Sequence, residues 1–369
     1  MTDLATSKGL WALAWRRLRA DKVAMVSLAV VAAFLAMLVL SSTGLIVADW
    51  EDEVGVNYAP PAFAGAAGGL AAKSPVAPES ALPDNAFDPL ADDMKAIRAE
   101  LGKGVGQGVP AALDMYGIVD PLAFDIAELR AGMPGGGAKT AARRDTLPFG
   151  ADKWGHDVIK KTIKGAETSI VVGLVAALLA VSLGTLFGAV SGFYGGLVDD
   201  FFNWFYSIFT SIPSILMILT VAAVLQQKGV ATIVLILGLT GWTGPYRLIR
   251  AEYMKHKARE YVMAADAIGA SSWRKMFTHI FPNVSHVALV QLSILVVGFI
   301  KAEVILSFLG FGVPVGVVSW GSMLNEAQNE LILGKWWQLS AAAFAMALLV
   351  TAFSLFTDAL RDALDPKLK

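Results

Sequence analysis

The sequence predicts an all-α integral membrane protein with six transmembrane helices. Three observations carry this. Of 369 residues, 56% are hydrophobic and 17% charged, whereas soluble domains hold about 25% charged residues. Uncharged windows recur at lengths near the roughly 20 residues that cross a ~30 Å hydrocarbon core. Lysine and arginine are divided unevenly between the loops joining those windows. The net charge of −1 is uninformative beside this distribution, and the absence of cysteine excludes disulfides and thiolate chemistry.

Residues 1–22 form an N-terminal segment containing SKGLWALAWRRLR, with Trp11, Ala14, Trp15 and Leu18 on one helical face. Two readings stay open: a helix lying in the cytoplasmic interface, or a plain basic topogenic flank. Val23–Ala48 is the first span, since its uncharged run outlasts a signal-peptide core and no small-x-small cleavage site follows. Residues 49–167 form a long periplasmic loop. From Ala59 to Leu82, 16 of 24 residues are Ala, Gly or Pro, the composition of a flexible linker. Asp88-Pro89 to Gly102 and Asp120-Pro121 to Gly132 then read as short capped helices. They are either docked on a partner or a decorative insertion packing on the membrane domain.

The membrane domain, 168–358, supplies the other five spans: Thr168–Val198, Phe201–Gln227, Gly229–Tyr246, Val284–Leu309 and Trp336–Thr357. Residues 359–369 form a cytoplasmic tail. With the N-terminus inside, the inner segments hold fifteen Lys and Arg. The short outer loops hold Lys228 and Lys335, with Lys301 at the boundary. That asymmetry places both termini in the cytoplasm.

The stretch from Glu260 to Asn283 is amphipathic in a chain that is otherwise mostly apolar. Tyr261, Ala264, Ala265 and Ile268 recur at helical spacing and predict one helix. Gly269 tolerates positive φ and stops it. Ser271 or Ser272 caps a second helix, whose apolar face is Trp273, Met276, Phe277 and Ile280. Pro282 marks the turn into the next span. Such a helix–Gly–helix unit either transmits force from a cytoplasmic partner or lies at the interface without one.

Gly132 to Thr140, GMPGGGAKT, is not a phosphate loop, because Ala138 and Met133 occupy the places where glycine is required. The four histidines show no metal-ligand spacing, and no nucleophile–base pair is readable. No catalytic residue and no metal site are expected.

At this stretch the sequence resembles the EAA loop of ATP-binding cassette (ABC) importer permeases. Met263-Ala264-Ala265, Gly269 and Ile280-Phe281-Pro282 match its pattern, with Met263 in place of the usual glutamate. PFGADKWGHDVI, GFYGGLVDDF, TSIPSILMIL, GWTGPYRLIR, LSFLGFGVP, SWGSMLNEAQNEL and RDALDPKLK are similar to dipeptide and oligopeptide permeases. WRRLRADKVAMVSL is similar to their C-type subunit. The resemblance covers residues 11–48 and 147–369; the insertion, about 58–146, falls outside it.

This resemblance implies a type I importer in the bacterial inner membrane, moving di- or oligopeptides. It implies a homologous B-type permease, two cytoplasmic ATPase subunits that bind ATP and Mg, and an external solute-binding protein. The chain itself would carry no cofactor, and neither enzyme activity nor a nucleic-acid partner is expected. Residues 251–283 would be the coupling loop, seated in an ATPase cleft through Tyr261, Ala264, Ala265, Ile268, Gly269, Trp273, Ile280 and Pro282. Related systems carry nickel or glutathione. A self-sufficient secondary transporter would instead place acidic residues along the spans, and only Glu303, near an edge, is present.

Three residues are candidates for the path or its gate. Pro213 predicts a kink, placed at a gate or simply packed. Lys301 either snorkels to the outer interface or contacts substrate. Glu303, two residues on, points to another side. Asp199 and Asp200 read as a solvated inner turn.

Overall fold

The computed structural model describes residues 10–64, 143–314 and 316–364. The chain divides into two compact units, Met1–Phe63 with Arg144–Lys369 and Ala64–Arg143. The second lies almost wholly outside the described residues. So do the two capped helices, the Gly132–Thr140 stretch, most of Ala59–Leu82, and the last five residues.

The described part is helical in the order α1 (Leu10–Ala20), α2 (Lys22–Ser42), α3 (Val158–Tyr194), α4 (Gly196–Thr210), α5 (Ser214–Leu225), α6 (Val230–Thr240), α7 (Thr243–Lys257) and α8 (Glu260–Ala267). There follow α9 (Ser272–Phe308), α10 (Trp320–Ile332) and α11 (Trp337–Leu364). Among the described residues, α2, α3, α9 and α11 are each long and apolar enough to cross a membrane. The pair α4 and α5, bent by 83°, makes a fifth candidate. The fourth expected span, Gly229–Tyr246, is divided: Gly241-Trp242 separates an 11-residue α6 from the amphipathic α7.

Several boundaries differ from the uncharged windows. Helix α2 stops at Ser42 rather than Ala48, and Gly44 takes φ +72° just beyond it. Helix α3 starts at Val158, ten residues before its uncharged run. Asp157 caps it by accepting the Ile159 N–H at 2.8 Å. Its charged first turns are neutralised from outside the helix: Lys160 pairs with Asp49, and Lys161 with Asp152 and Glu326. Charge ended the sequence window there, but it does not end the helix.

Pro213 stands at the break between α4 and α5 and is followed by a fresh helix start. Pro282 does not mark a turn, contrary to expectation. Helix α9 runs through it, with Lys275–Ile280 widened into π-helical turns. A proline ring crowds the carbonyl four residues back and offers no N–H; a π-bulge relieves both faults without ending the helix.

The main core is built by α3, α6, α9, α10 and α11 around Val172, Ala176, Leu237, Val296, Trp320 and Leu349. A second core joins α3, α7, α8 and α9 through Ala189, Phe193, Ile249, Tyr253, Val262, Met276 and Ile280. Helix α1 packs Leu18 against Ala24 and against Ala363 and Leu364 at the end of α11. Residues 53–61 and 143–157 form a non-helical stem. Ala62 N–H donates to Leu147 O (2.8 Å), Arg144 N–H to Val54 O (2.9 Å) and Val56 N–H to Arg144 O (3.0 Å). The chain therefore leaves and re-enters this unit at paired backbone segments.

Candidate functional site

The candidate site is the α7–α8–α9 corner, and its position is set by small residues on α3. Gly184, Gly188 and Gly192 recur every four residues, and α7 lies directly on them. A Cβ added at Gly184 would sit 2.6 Å from Trp242 O. At Gly188 it would sit 2.8 Å from Tyr246 O, and at Gly192 2.6 Å from Arg250 O. Small residues in this register let helix backbones touch. The spacing was visible in GTLFGAVSG, but the sequence reading did not use it.

Below this contact, Arg250 forms a two-pronged pair with Asp199 at the start of α4, Nε and Nη2 each donating at 2.6 Å. The Ser191 hydroxyl also donates to Asp199, and lies 3.1 Å from the Tyr246 hydroxyl. The solvated turn expected at Asp199 is thus a fixed joint between α3, α4 and α7. Its partner is 51 residues away, beyond any local pattern.

Helix α7 carries this position to α8. Tyr253 is fully buried and donates to Met276 O at 3.1 Å. His256 Nδ1 lies 2.8 Å from the Tyr261 hydroxyl. Gly269 has φ +79° and ends the helix as expected. Ser271 then caps α9 through the Arg274 N–H, and Lys275 pairs with Asp266 across the turn.

Of the four α8 residues expected on one helical face, Tyr261, Ala264 and Ile268 face outward and Ala265 is buried, as are Val262 and Ala270. On α9, Met276 and Ile280 point into the core, but Trp273 does not. The corner therefore leaves Ile268 (83%), Trp273 (66%) and Met263 (56%) exposed, on either side of Gly269. Met263, where the sequence pattern has glutamate, is part of this surface.

The other candidates separate. Glu303 faces no open path: it is fully buried, accepting from Ser169 at 2.6 Å and Ser307 at 2.7 Å. Ser169 also accepts the Trp320 N–H at 3.3 Å, so this knot fixes the start of α10 on α3 and α9. Lys301 is exposed on the opposite side of α9. Sequence reasoning missed a second polar cluster, at the stem. Lys161 donates to Asp152 (2.7 Å) and Glu326 (2.6 Å), and Asp152 lies 2.9 Å from His156 Nδ1. Burial alone would raise the Asp152 carboxyl, but Lys161 overrides it and holds it below the usual range. Glu330, on the same α10, is 2% exposed, and both its oxygens lack a hydrogen-bond partner. Burial pushes its carboxyl up to about 7. Among the described residues, no group of three or more His, Asp or Glu could hold a metal ion.

Comparison with known proteins places these elements in a wider set. Residues 184–369 match the family described as binding-protein-dependent transport system inner membrane component. Residues 9–61 match the N-terminal transmembrane domain of oligopeptide transport permease C. The chain is 37% identical over 221 residues to the dipeptide transport system permease protein DppC of Bacillus subtilis, covering 60% of this chain and 69% of that one. It is 37% identical over 221 residues to the oligopeptide transport system permease protein OppC of the same organism, covering 60% and 72%. The dipeptide permease DppC of Lactococcus lactis is 29% identical over 230 residues, covering 62% and 66%.

Proposed function

The chain belongs to the binding-protein-dependent transport system inner membrane component family, and from that premise we propose that it forms, with a homologous permease, the path for di- or oligopeptide uptake. It is a permease subunit of an ABC importer and a multi-pass membrane protein. The peptide cargo follows from the relatives, which are dipeptide and oligopeptide permeases.

The remaining parts of this reading are a second permease, two ATPase subunits that bind ATP and Mg, and an external binding protein. The chain crosses the membrane six times, through α2, α3, α4 with α5, α6 with α7, α9 and α11. Both termini and the α8 corner lie inside, and the 49–157 segment with its insertion lies outside. The basic-residue asymmetry supports that orientation.

One observation carries the coupling role. Ile268, Trp273 and Met263 are exposed at a corner whose backbone is fixed by Gly269, Tyr253 and the α3 glycines. Apolar groups held outward on a rigid mount suit a cleft in another protein. The ATPase subunits are the proposed occupant.

The test is expression with the candidate ATPase and second permease subunits, followed by co-purification and uptake of a radiolabelled dipeptide. Expected are a stable complex, uptake that needs the binding protein, and no ATP hydrolysis by this chain alone. Uptake that persists without any ATPase subunit would refute the reading. Reporters after Leu364 and within Ala59–Leu82 should report opposite sides of the membrane.

A further inference from the structure

Helix α9 carries a second feature that the coupling reading does not use. Gln291, Ile294, Gly298, Lys301, Ile305 and Phe308 follow one another at spacings of three and four and form a single stripe. Ile294, Ile305 and Phe308 are 44%, 43% and 37% exposed. Across the helix, Val297, Ile300, Glu303, Val304 and Ser307 are buried against the core. A 3.5-residue period is that of a narrow seam against other protein, not of a broad lipid-facing surface.

Lys301 is the one charge in this stripe. It makes no ion pair or hydrogen bond among the described residues. Glu303 cannot serve it, because both Glu303 oxygens are engaged by Ser169 and Ser307 on the other face. Lys301 also stands seven residues before the end of α9 at Phe308, about 10 Å along the axis. Helical side chains lean toward the helix N-terminus. For Lys301 that direction runs away from the near end and toward Gly298, where an added Cβ would meet nothing within 4 Å. An exposed, unpaired ammonium inside a span calls for water and an anion, not acyl chains.

We propose that Lys301 is a specificity-determining residue of the path, where its ammonium receives the C-terminal carboxylate of a passing peptide. The proposal rests on the peptide-permease reading above. Peptides of any sequence carry that carboxylate, so one cation serves many cargoes. Ile294, Ile305 and Phe308 offer apolar contact that does not select among side chains. Repulsion of the peptide's amino end would orient the chain in the path.

The chain has no cysteine, so Lys301→Cys introduces the one thiol of this chain. The experiment uses the complete importer in proteoliposomes, with wild type treated in parallel. Uptake of a labelled dipeptide should fall about tenfold or more on Lys301→Cys, the loss expected for one charge-assisted contact. An aminoethyl methanethiosulfonate reagent should restore it by rebuilding a cation. The sulfonatoethyl and methyl reagents should not. Peptide-loaded binding protein should slow the labelling.

A thiol that does not react in the assembled importer would overturn the proposal, as would equal restoration by the methyl reagent. Labelling that peptide does not slow would assign Lys301 to an ion pair with the second permease instead, and would equally overturn it. A wild-type importer that moves no peptide would strike the functional reading rather than this residue.

Discussion

Replacing Gly269 separates backbone geometry from side-chain bulk at the coupling corner. The residue has φ +79°, and an added Cβ would meet nothing within 4 Å. Space is therefore not the obstacle, and the whole cost is conformational. Alanine in the left-handed region costs about 1–2 kcal/mol, and a β-branched residue up to about 3 kcal/mol. Asparagine tolerates this region better than other side chains. At a factor of ten per ~1.4 kcal/mol, alanine shifts the turn about five- to thirtyfold and valine roughly a hundredfold. The contacts that could resist are few and exposed: the Ser271 cap and the Lys275–Asp266 pair. The turn should yield, carrying Ile268 away from Trp273, while the spans remain inserted because their apolar length drives insertion. The expected order of lost ATPase co-purification and lost dipeptide uptake, at matched membrane abundance, is Asn, then Ala, then Val. Full uptake by Gly269→Val with the ATPases bound would refute the coupling role of this turn. Equal damage by Asn and Val would show that the side chain blocks a partner's surface and that φ is not the cause.

Two further outcomes follow from packing and charge. Gly188→Val should lower the detergent-solubilised melting temperature and break transport, because its Cβ would lie 2.8 Å from Tyr246 O and 3.0 Å from Arg250 N; overpacking of this kind costs about 1–3 kcal/mol, and an unchanged melting curve would disprove the close helix contact. Glu330 has a carboxyl raised from 4.5 to about 7 by burial, so the folded state holds its proton where the unfolded state has released it. Its contribution is fully present below pH 4.5, declines as pH rises to about 7, and then stays lost. Glu330→Gln should therefore match wild type near pH 5 and melt higher at pH 8, and a pH-independent difference would show that burial of the ionised form is not the cause.

The apolar runs made the bundle legible, because length and absence of charge determine which segments can enter a membrane. Gly269 was legible as well, since only a residue without Cβ takes φ +79° freely. The errors share one cause: charge and proline were read as local punctuation. Glu167 ended the sequence window, with Lys164, Lys161 and Lys160 before it, yet α3 continues through them because Glu167 pairs with Lys164 and Asp49, Asp152 and Glu326 supply the other counter-charges. Pro282 is absorbed by a π-turn. On α8 the helical spacing of Tyr261 and Val262 alone does not say which side is inward; the packing of Val262 with Tyr253 and Met276 decides it. Glu303 looked like a path residue until Ser169, 134 residues earlier, claimed it.

The same long-range contacts explain how a coupling corner could move a bundle. A push at Ile268 meets Val262, which is packed in the core that also holds Tyr253 and Met276. Helix α7 then bears on α3 through the glycine stripe, backbone against backbone. Flexible side chains between two helices would absorb a displacement by changing rotamer; carbonyls resting on glycines cannot. The displacement also passes through Arg250 to Asp199, at the head of α4. From there the chain runs uninterrupted to Ser211, where α4 and α5 meet at 83° with Pro213 at the bend. Proline removes the hydrogen bond that would resist a change of angle there. Stiff contacts thus lie between the corner and α4, and the first compliant joint after them is the Pro213 break. On the proposed coupling role, converting a push at the corner into a change of path shape needs compliance at the far end of a stiff train, and the Pro213 break stands at that end.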